Sequence, residues 1–247
     1  MTVRLLTIPM SHYCDKARWA LEHAGIPYAE EPHLQLLHRL ATRREGGGSV
    51  PLLVTPDGPV TDSADIVAWT DSQRAPEHRL ATPEAEAWAA RFDRDLGPPA
   101  RLWAYDRAAT QAHLAWRFGI AGVPWWQRAA FPFLYWPMLA AIRQVLGWTD
   151  ATVAEAQASV DRQFDEVADV LSDGRPFLCG DRFTAADLTF ASMTAAVLLP
   201  PEYGIALPQP ADLPARAADE VTRRRAHPAG AFALRMYREH RPARRVG

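Results

Sequence analysis

The apolar positions of this chain alternate between strand-like and helix-like spacing in its first third and keep helical spacing afterwards. Residues 3–9, VRLLTIP, form a dense apolar run ended by Pro9, the pattern of a buried strand. SHYCDKARWALEHAG follows, with Ala17, Ala20, Leu21 and Ala24 on one helical face and Gly25 as the stop. PYAEEPH predicts a short second strand, and LQLLHRLATRR a helix running into the turn EGGGS. VPLLVTPDGPVTDS reads as a hairpin with Pro56-Asp57-Gly58 at its tip, and DSADIVAWTDSQR as a third helix. The resulting order, β-α-β-α-β-β-α, permits one parallel pair through a crossover and an antiparallel edge from the hairpin.

From about Glu84 every long segment is helical or loop-like. In ATVAEAQASVDRQFDEVADVLSDG, Val153, Ala156, Val160, Phe164, Val167 and Leu171 recur at three and four, so one stripe faces a core. Thr184 and Asp187 have the spacing of a capping box, with aspartate in the place of the usual glutamate, and Phe183 and Leu188 are placed as a hydrophobic staple. The last part predicts helix, a break at Pro228, and helix again. A shift in composition from Gln73 to Glu84 marks a linker. We therefore expect an α/β domain over residues 1–77 and an all-α helical C-terminal domain over residues 84–247.

Composition narrows the function classes. A chain of 247 residues with 48% hydrophobic and 23% charged residues is that of a globular protein with a sizeable core. A formal net charge of -2 offers no global attraction to nucleic acid or an anionic membrane. The two cysteines, Cys14 and Cys179, form no disulfide framework, and the first residues lack the pattern of a signal peptide, so a cytoplasmic location is expected. The most apolar stretch, AAFPFLYWPMLAAI, is too short to span a bilayer and carries two prolines; it is expected to be buried or to wall an apolar cleft. The arginine-rich TRRRAH and RPARRVG are expected as solvated faces and a tail, and the histidines show no metal-ligand spacing, so no metal is predicted.

The chemistry begins at MSHYCDKARWA. Ser11 stands directly after a strand and ahead of a helix, where unpaired amides and the helix dipole stabilise an anion. Its hydroxyl would cap the helix or donate a hydrogen bond to a bound thiolate. No G-x-S-x-G elbow supports a serine nucleophile. Cys14 reads as a small packed residue, Cys179 as core and Asp187 as a capping residue. His12 and Tyr13 either face a pocket or lie partly exposed at the helix start. Six of the nine tryptophans, Trp103, Trp116, Trp125, Trp126, Trp136 and Trp148, lie between Gly97 and Trp148 and would line an apolar site, fill core or form a dimer interface.

SHYCDKARWAL, SVPLLVTPDG, TDSADIVAW and PFLCGDRFTAADLTFAS together resemble the glutathione transferase superfamily, in order and over most of the chain. The resemblance implies a thioredoxin-like N-terminal domain, a helical second domain, and a homodimer that uses glutathione as cosubstrate without a metal. It implies that Ser11 is the catalytic hydroxyl activating the thiol of glutathione. Val50-Pro51, through a cis bond, would hold the cysteinyl part, and Asp62-Ser63 the γ-glutamyl end; a helix N-terminus with a hydroxyl also suits a carboxylate on physical grounds. His38, Arg43 and Arg44 are candidates by proximity for the glycyl carboxylate, with His38 preferred. Tyr13, Trp103, Tyr105 and Trp116 are expected to bind a small hydrophobic electrophile, in a detoxifying role. Two other readings remain: thiol-disulfide exchange through Cys14, and a non-catalytic protein that carries an apolar ligand.

Overall fold

The computed structural model describes residues 3–242; residues 243–247, most of the basic tail RPARRVG, and residues 1 and 2 lie outside it. The first half runs β1 (Val3–Thr7), α1 (His12–His23), β2 (Tyr28–Pro32), α2 (His38–Arg44), β3 (Leu52–Thr55), β4 (Gly58–Thr61) and α3 (Ser63–Ser72). The sheet order is β2-β1-β3-β4. β1 pairs parallel with β2, Leu5 opposite Glu30, and antiparallel with β3, Leu5 opposite Leu53. Both pairings put Leu5 and Leu53 into a core with Ala17, Leu21 and Ile66, so α1 and α3 pack on this face. α1 ends at Gly25, whose φ of 69° only glycine adopts readily.

α2 begins at His38 rather than near Leu34. Leu36 has a φ of 68°, and a left-handed residue cannot continue a right-handed helix. Residues 33–37 instead form a loop whose Leu34 is buried.

The second half is helical throughout: α4 (Pro83–Asp95), α5 (Gly97–Ala104), α6 (Ala112–Phe118), α7 (Trp125–Val145), α8 (Asp150–Leu171), α9 (Ala185–Leu198), α10 (Ala215–Ala226) and α11 (Pro228–His240). A π-helical turn, Tyr105–Ala109, follows α5 directly. α9 is buried on all sides and packs against α1, α4, α5 and α11, as expected for a helix without a polar face. Its capping box holds: Asp187 accepts the backbone N–H groups of Leu178 and Thr184, each at 2.8 Å.

Of the two expectations for the aromatic stretch of α7, burial or an apolar cleft wall, it meets the second, with one stripe on a cavity and the other in solvent. Phe131 and Tyr135 enter a satellite cluster with Leu34, Ile120 and Val123, while Phe133 is 82% and Trp136 62% exposed. A helix apolar all round meets neighbours on one stripe only. Pro132 and Pro137 lie inside it and cannot donate to the carbonyls one turn earlier. Among the described residues, no helix is long and apolar enough to cross a membrane.

Buried polar contacts join the two halves. Asp15 of α1 accepts hydrogen bonds from Tyr237 at 2.8 Å, from Arg241 at 2.5 Å and from the Gly204 amide at 3.1 Å. Lys16 pairs with Asp93 of α4 at 2.6 Å, and the Trp19 indole donates to the His240 carbonyl. The faces of α1 turned to the helices are thereby fixed, and its N-terminus opens between the halves.

Candidate functional site

A cavity of about 400 Å³ lies there, within the range of small-molecule sites. One wall comes from the sheet half: Ser11, His12 and Tyr13 at the start of α1, His38 and Arg39 at the start of α2, and Gly48 to Val50 ahead of β3. The other comes from α5 and α7, where Arg101, Trp103 and Tyr105 meet Phe131, Tyr135 and Leu139. Among the described residues, no aspartate or glutamate lines the cavity, whereas two arginines and two histidines do.

Ser11 occupies the N-cap of α1 in extended conformation, and its Oγ accepts the Cys14 amide at 3.4 Å. That bond uses an acceptor lone pair and leaves the O–H as a donor. Ser11 lines the cavity beside the positive end of the helix. His12 is buried, and burial, reinforced by the Arg101 charge, lowers its pKa to about 3, so the ring is neutral. Tyr13 donates to the Asp93 carbonyl at 3.2 Å, and burial raises its phenol to about 12, which excludes a phenolate.

The Val50-Pro51 bond is cis, and Val50 lines the cavity while Pro51 is buried behind it. Asp62 and Ser63 stand outside the lining, at the N-terminus of α3. Asp62 adopts φ 76° and ψ 146°, a region nearly reserved for glycine, while its side chain accepts the Ala64 amide at 3.0 Å. Its charge acts on Tyr13, which lines the cavity, and on the Lys16–Asp93 pair. The Ser63 Oγ is buried without a hydrogen-bond partner among the described residues, as is Nδ1 of His38. Polar atoms buried in this way gain from a partner such as a water or a ligand group. Burial, with the Arg39 and His33 charges, lowers the His38 pKa to about 4.

Several sequence-predicted residues fall elsewhere. Trp116 lies outside the cavity: its ring is half exposed and borders a separate shallow hollow with Arg128. α6 turns it outward and gives Leu114 and Ala115 to the wall instead. Trp103 does line the cavity, with its indole N–H donating away to Glu220 at 2.6 Å. Arg43 and Arg44 are exposed and outside the lining, whereas Arg39, not anticipated, is in it. The later start of α2 accounts for this, because it brings the first helical turn to the cavity. Gln127 was also missed: it is buried, accepts the Leu34 amide at 2.7 Å and bonds the His33 ring, tying α7 to the sheet half. Cys14 is fully buried as expected, its Sγ accepting the Ile8 amide, and burial pushes its thiol up despite nearby Arg18. Cys179 is only partly buried against the core. Among the described residues, no group of three or more histidine, cysteine or acidic side chains is arranged to hold a metal ion.

Comparison with known families places these features. Residues 5–78 match the glutathione S-transferase N-terminal domain, and residues 150–219 match its C-terminal domain. Together the two matches cover more than half of the chain, and the protein belongs to the glutathione transferase superfamily. No curated protein sequence matches it. Among solved structures, it is similar to a glutathione transferase of Phanerochaete chrysosporium at 15% identity, with a TM-score of 0.66 and 99% of each chain covered. A glutathione S-transferase of Ceriporiopsis subvermispora, solved with glutathione, is 15% identical with a TM-score of 0.62 and 100% of each chain covered. One from Xanthobacter autotrophicus is 17% identical with a TM-score of 0.61, over 99% of this chain and 96% of that one. At such identities the likeness establishes the shared fold.

Proposed function

We propose that this protein is a glutathione transferase of the serine type, in which Ser11 hydrogen-bonds the thiolate of glutathione for attack on an apolar electrophile. The observation that carries the reading is Ser11 itself: an N-cap hydroxyl, retained as a donor, opening at the positive end of α1 into a cavity free of carboxylates. Both effects favour the charged sulfur and raise the reactive fraction at neutral pH. The backbone at Val50 would pair with the cysteinyl part of the peptide. The unpartnered Ser63 hydroxyl and the α3 amides suit the γ-glutamyl carboxylate, Asp62 its ammonium, and His38 with Arg39 the glycyl carboxylate. The electrophile would lie against Tyr13, Trp103, Tyr105 and the α7 side chains, held close to the sulfur. The relative solved with glutathione, and a maize enzyme solved with an atrazine glutathione conjugate, are consistent with this use of the fold.

Domains of residues 1–77 and 84–247, a homodimer, a cytoplasmic location and a detoxifying role complete the proposal. The fully buried, protonated Cys14 disfavours disulfide exchange through that residue. Calorimetric titration with glutathione tests the core of the reading: saturable binding is expected in the wild type, weakened in Ser63→Ala. A wild type that takes up no glutathione would refute it.

A further inference from the structure

Resting on that reading, we infer that Arg101 makes the second-substrate half of the cavity selective for apolar molecules that carry one carboxylate or sulfonate. Arg101, Ala104, Tyr105 and Ala108 follow at three- and four-residue steps from α5 into the π-helical turn, and all four line the cavity. This wall is otherwise apolar and aromatic. Arg101 forms no hydrogen bond or ion pair among the described residues, and its Nε is buried without a partner.

The contrast with four arginines largely buried in ion pairs is chemical. Arg18 pairs with Glu30, Arg107 with Glu220, Arg224 with Asp161 and Arg241 with Asp15. A desolvated cation is costly unless an anion meets it, and each of these four has a carboxylate within the protein. Arg101, partly exposed where it lines the cavity, has none, and among the described residues no acidic residue lines the space before it. Its charge reaches His12 and Tyr13 on one side and Tyr105 on the other, which sets it between the Ser11 end and the aromatic wall.

Glutathione does not use up this charge. In that reading its two carboxylates go to Ser63, at the start of α3 beside the lining, and to His38 with Arg39, all in the sheet half. A guanidinium fork on the opposite wall remains for an anionic group on the incoming molecule. The electrophile class is then an acidic one, such as an enone with a carboxylate tail, its apolar body against Tyr105 and α7 and its charge on Arg101.

Two environment-sensitive probes of one scaffold test this without turnover: anilinonaphthalene sulfonate, an anion, and neutral phenylnaphthylamine. Fluorescence titration of the wild type should show the anion bound at least roughly tenfold more tightly, the size of one charge-assisted hydrogen bond. Arg101→Met should abolish that preference while leaving neutral-probe and glutathione affinity unchanged, and Arg101→Lys should keep part of it. With glutathione present, the kcat/KM ratio of a carboxylated enone to its methyl ester should fall in Arg101→Met by the same factor. Equal binding of the two probes by the wild type overturns the inference whatever the variants do. So does an Arg101→Met protein that loses glutathione affinity but keeps the anion preference. Absence of glutathione binding in the wild type would sink the transferase reading alone, because the probe ratio reads the anion site independently.

Discussion

The Ser11 hydroxyl and the Cys14 amide are joined by a 3.4 Å hydrogen bond, so the residue that caps α1 also faces the cavity. Ser11→Ala should therefore have two separable effects. Loss of the cap costs about 0.5–2 kcal/mol in denaturant unfolding. Loss of the donor should lower conjugating kcat/KM roughly ten- to a hundredfold, the worth of a hydrogen bond to a charged group. Ultraviolet titration of the thiolate in the glutathione complex should show its pKa moving up towards the free-thiol value, and the rate profile moving to higher pH. A residue that only caps would change the unfolding midpoint and leave the thiolate titration where it was.

Asp62 combines a carboxylate that caps α3 with a backbone in a glycine-like conformation. Asp62→Gly relieves the backbone while removing the carboxylate, and Asp62→Ala removes the carboxylate and keeps the strain. We expect the glycine variant to be more stable than the alanine variant by about 1 kcal/mol. Both should bind glutathione more weakly than wild type. Equal unfolding midpoints would show that the loop relaxes around any side chain.

The buried histidines predict a loss of stability in mild acid. Burial depresses His12 to about 3 and His38 to about 4, against an ordinary value of 6.5 in the unfolded chain. Below pH 6.5 the unfolded state takes up protons that the folded state refuses. Their stabilising contribution is thus full above pH 6.5 and is lost as pH falls towards 4 and then 3. Each contributes a slope of at most about 1.4 kcal/mol per pH unit in that window. Urea unfolding followed from pH 7 to pH 4.5 should be less steep in His12→Gln than in wild type. Parallel curves would mean that His12 is hydrated and titrates normally.

Gly97 at the start of α5 should tolerate no side chain. A Cβ there would overlap the Tyr13 hydroxyl and the Met193 sulfur. Gly97→Ala is expected to destabilise by about 1–3 kcal/mol, the usual effect of overpacking. It should also displace Tyr13 and so change electrophile KM more than glutathione affinity. Wild-type stability together with wild-type kinetics would show that α5 can shift freely.

Much of the fold was legible because it is written in local pattern. The strand ended by Pro9, the stop at Gly25, the hairpin tip and the Thr184–Asp187 box each follow from a few adjacent residues. That Ser11 lines the cavity follows from the same local strand-to-helix junction, whereas the place of Val50 was implied by the family resemblance and by no local feature. What stayed hidden depends on tertiary placement. Leu36 interrupts a good helical pattern because the loop must bury Leu34, and no propensity announces that. Arg39 and Arg101 looked like any other surface arginine until the helix faces were fixed, and in α7 the periodicity is too apolar to tell the cavity stripe from the solvent stripe.

α7 holds to the rest through a small cluster around Phe131, through Gln127 and through Leu139 in the cluster around Trp148, apart from the large core centred on α9. Part of the surface proposed to meet an incoming molecule is therefore carried by an element outside the largest core. On the proposed reading, substitutions along the cavity stripe of α7 would change which molecules are admitted while the start of α1 stays as it is.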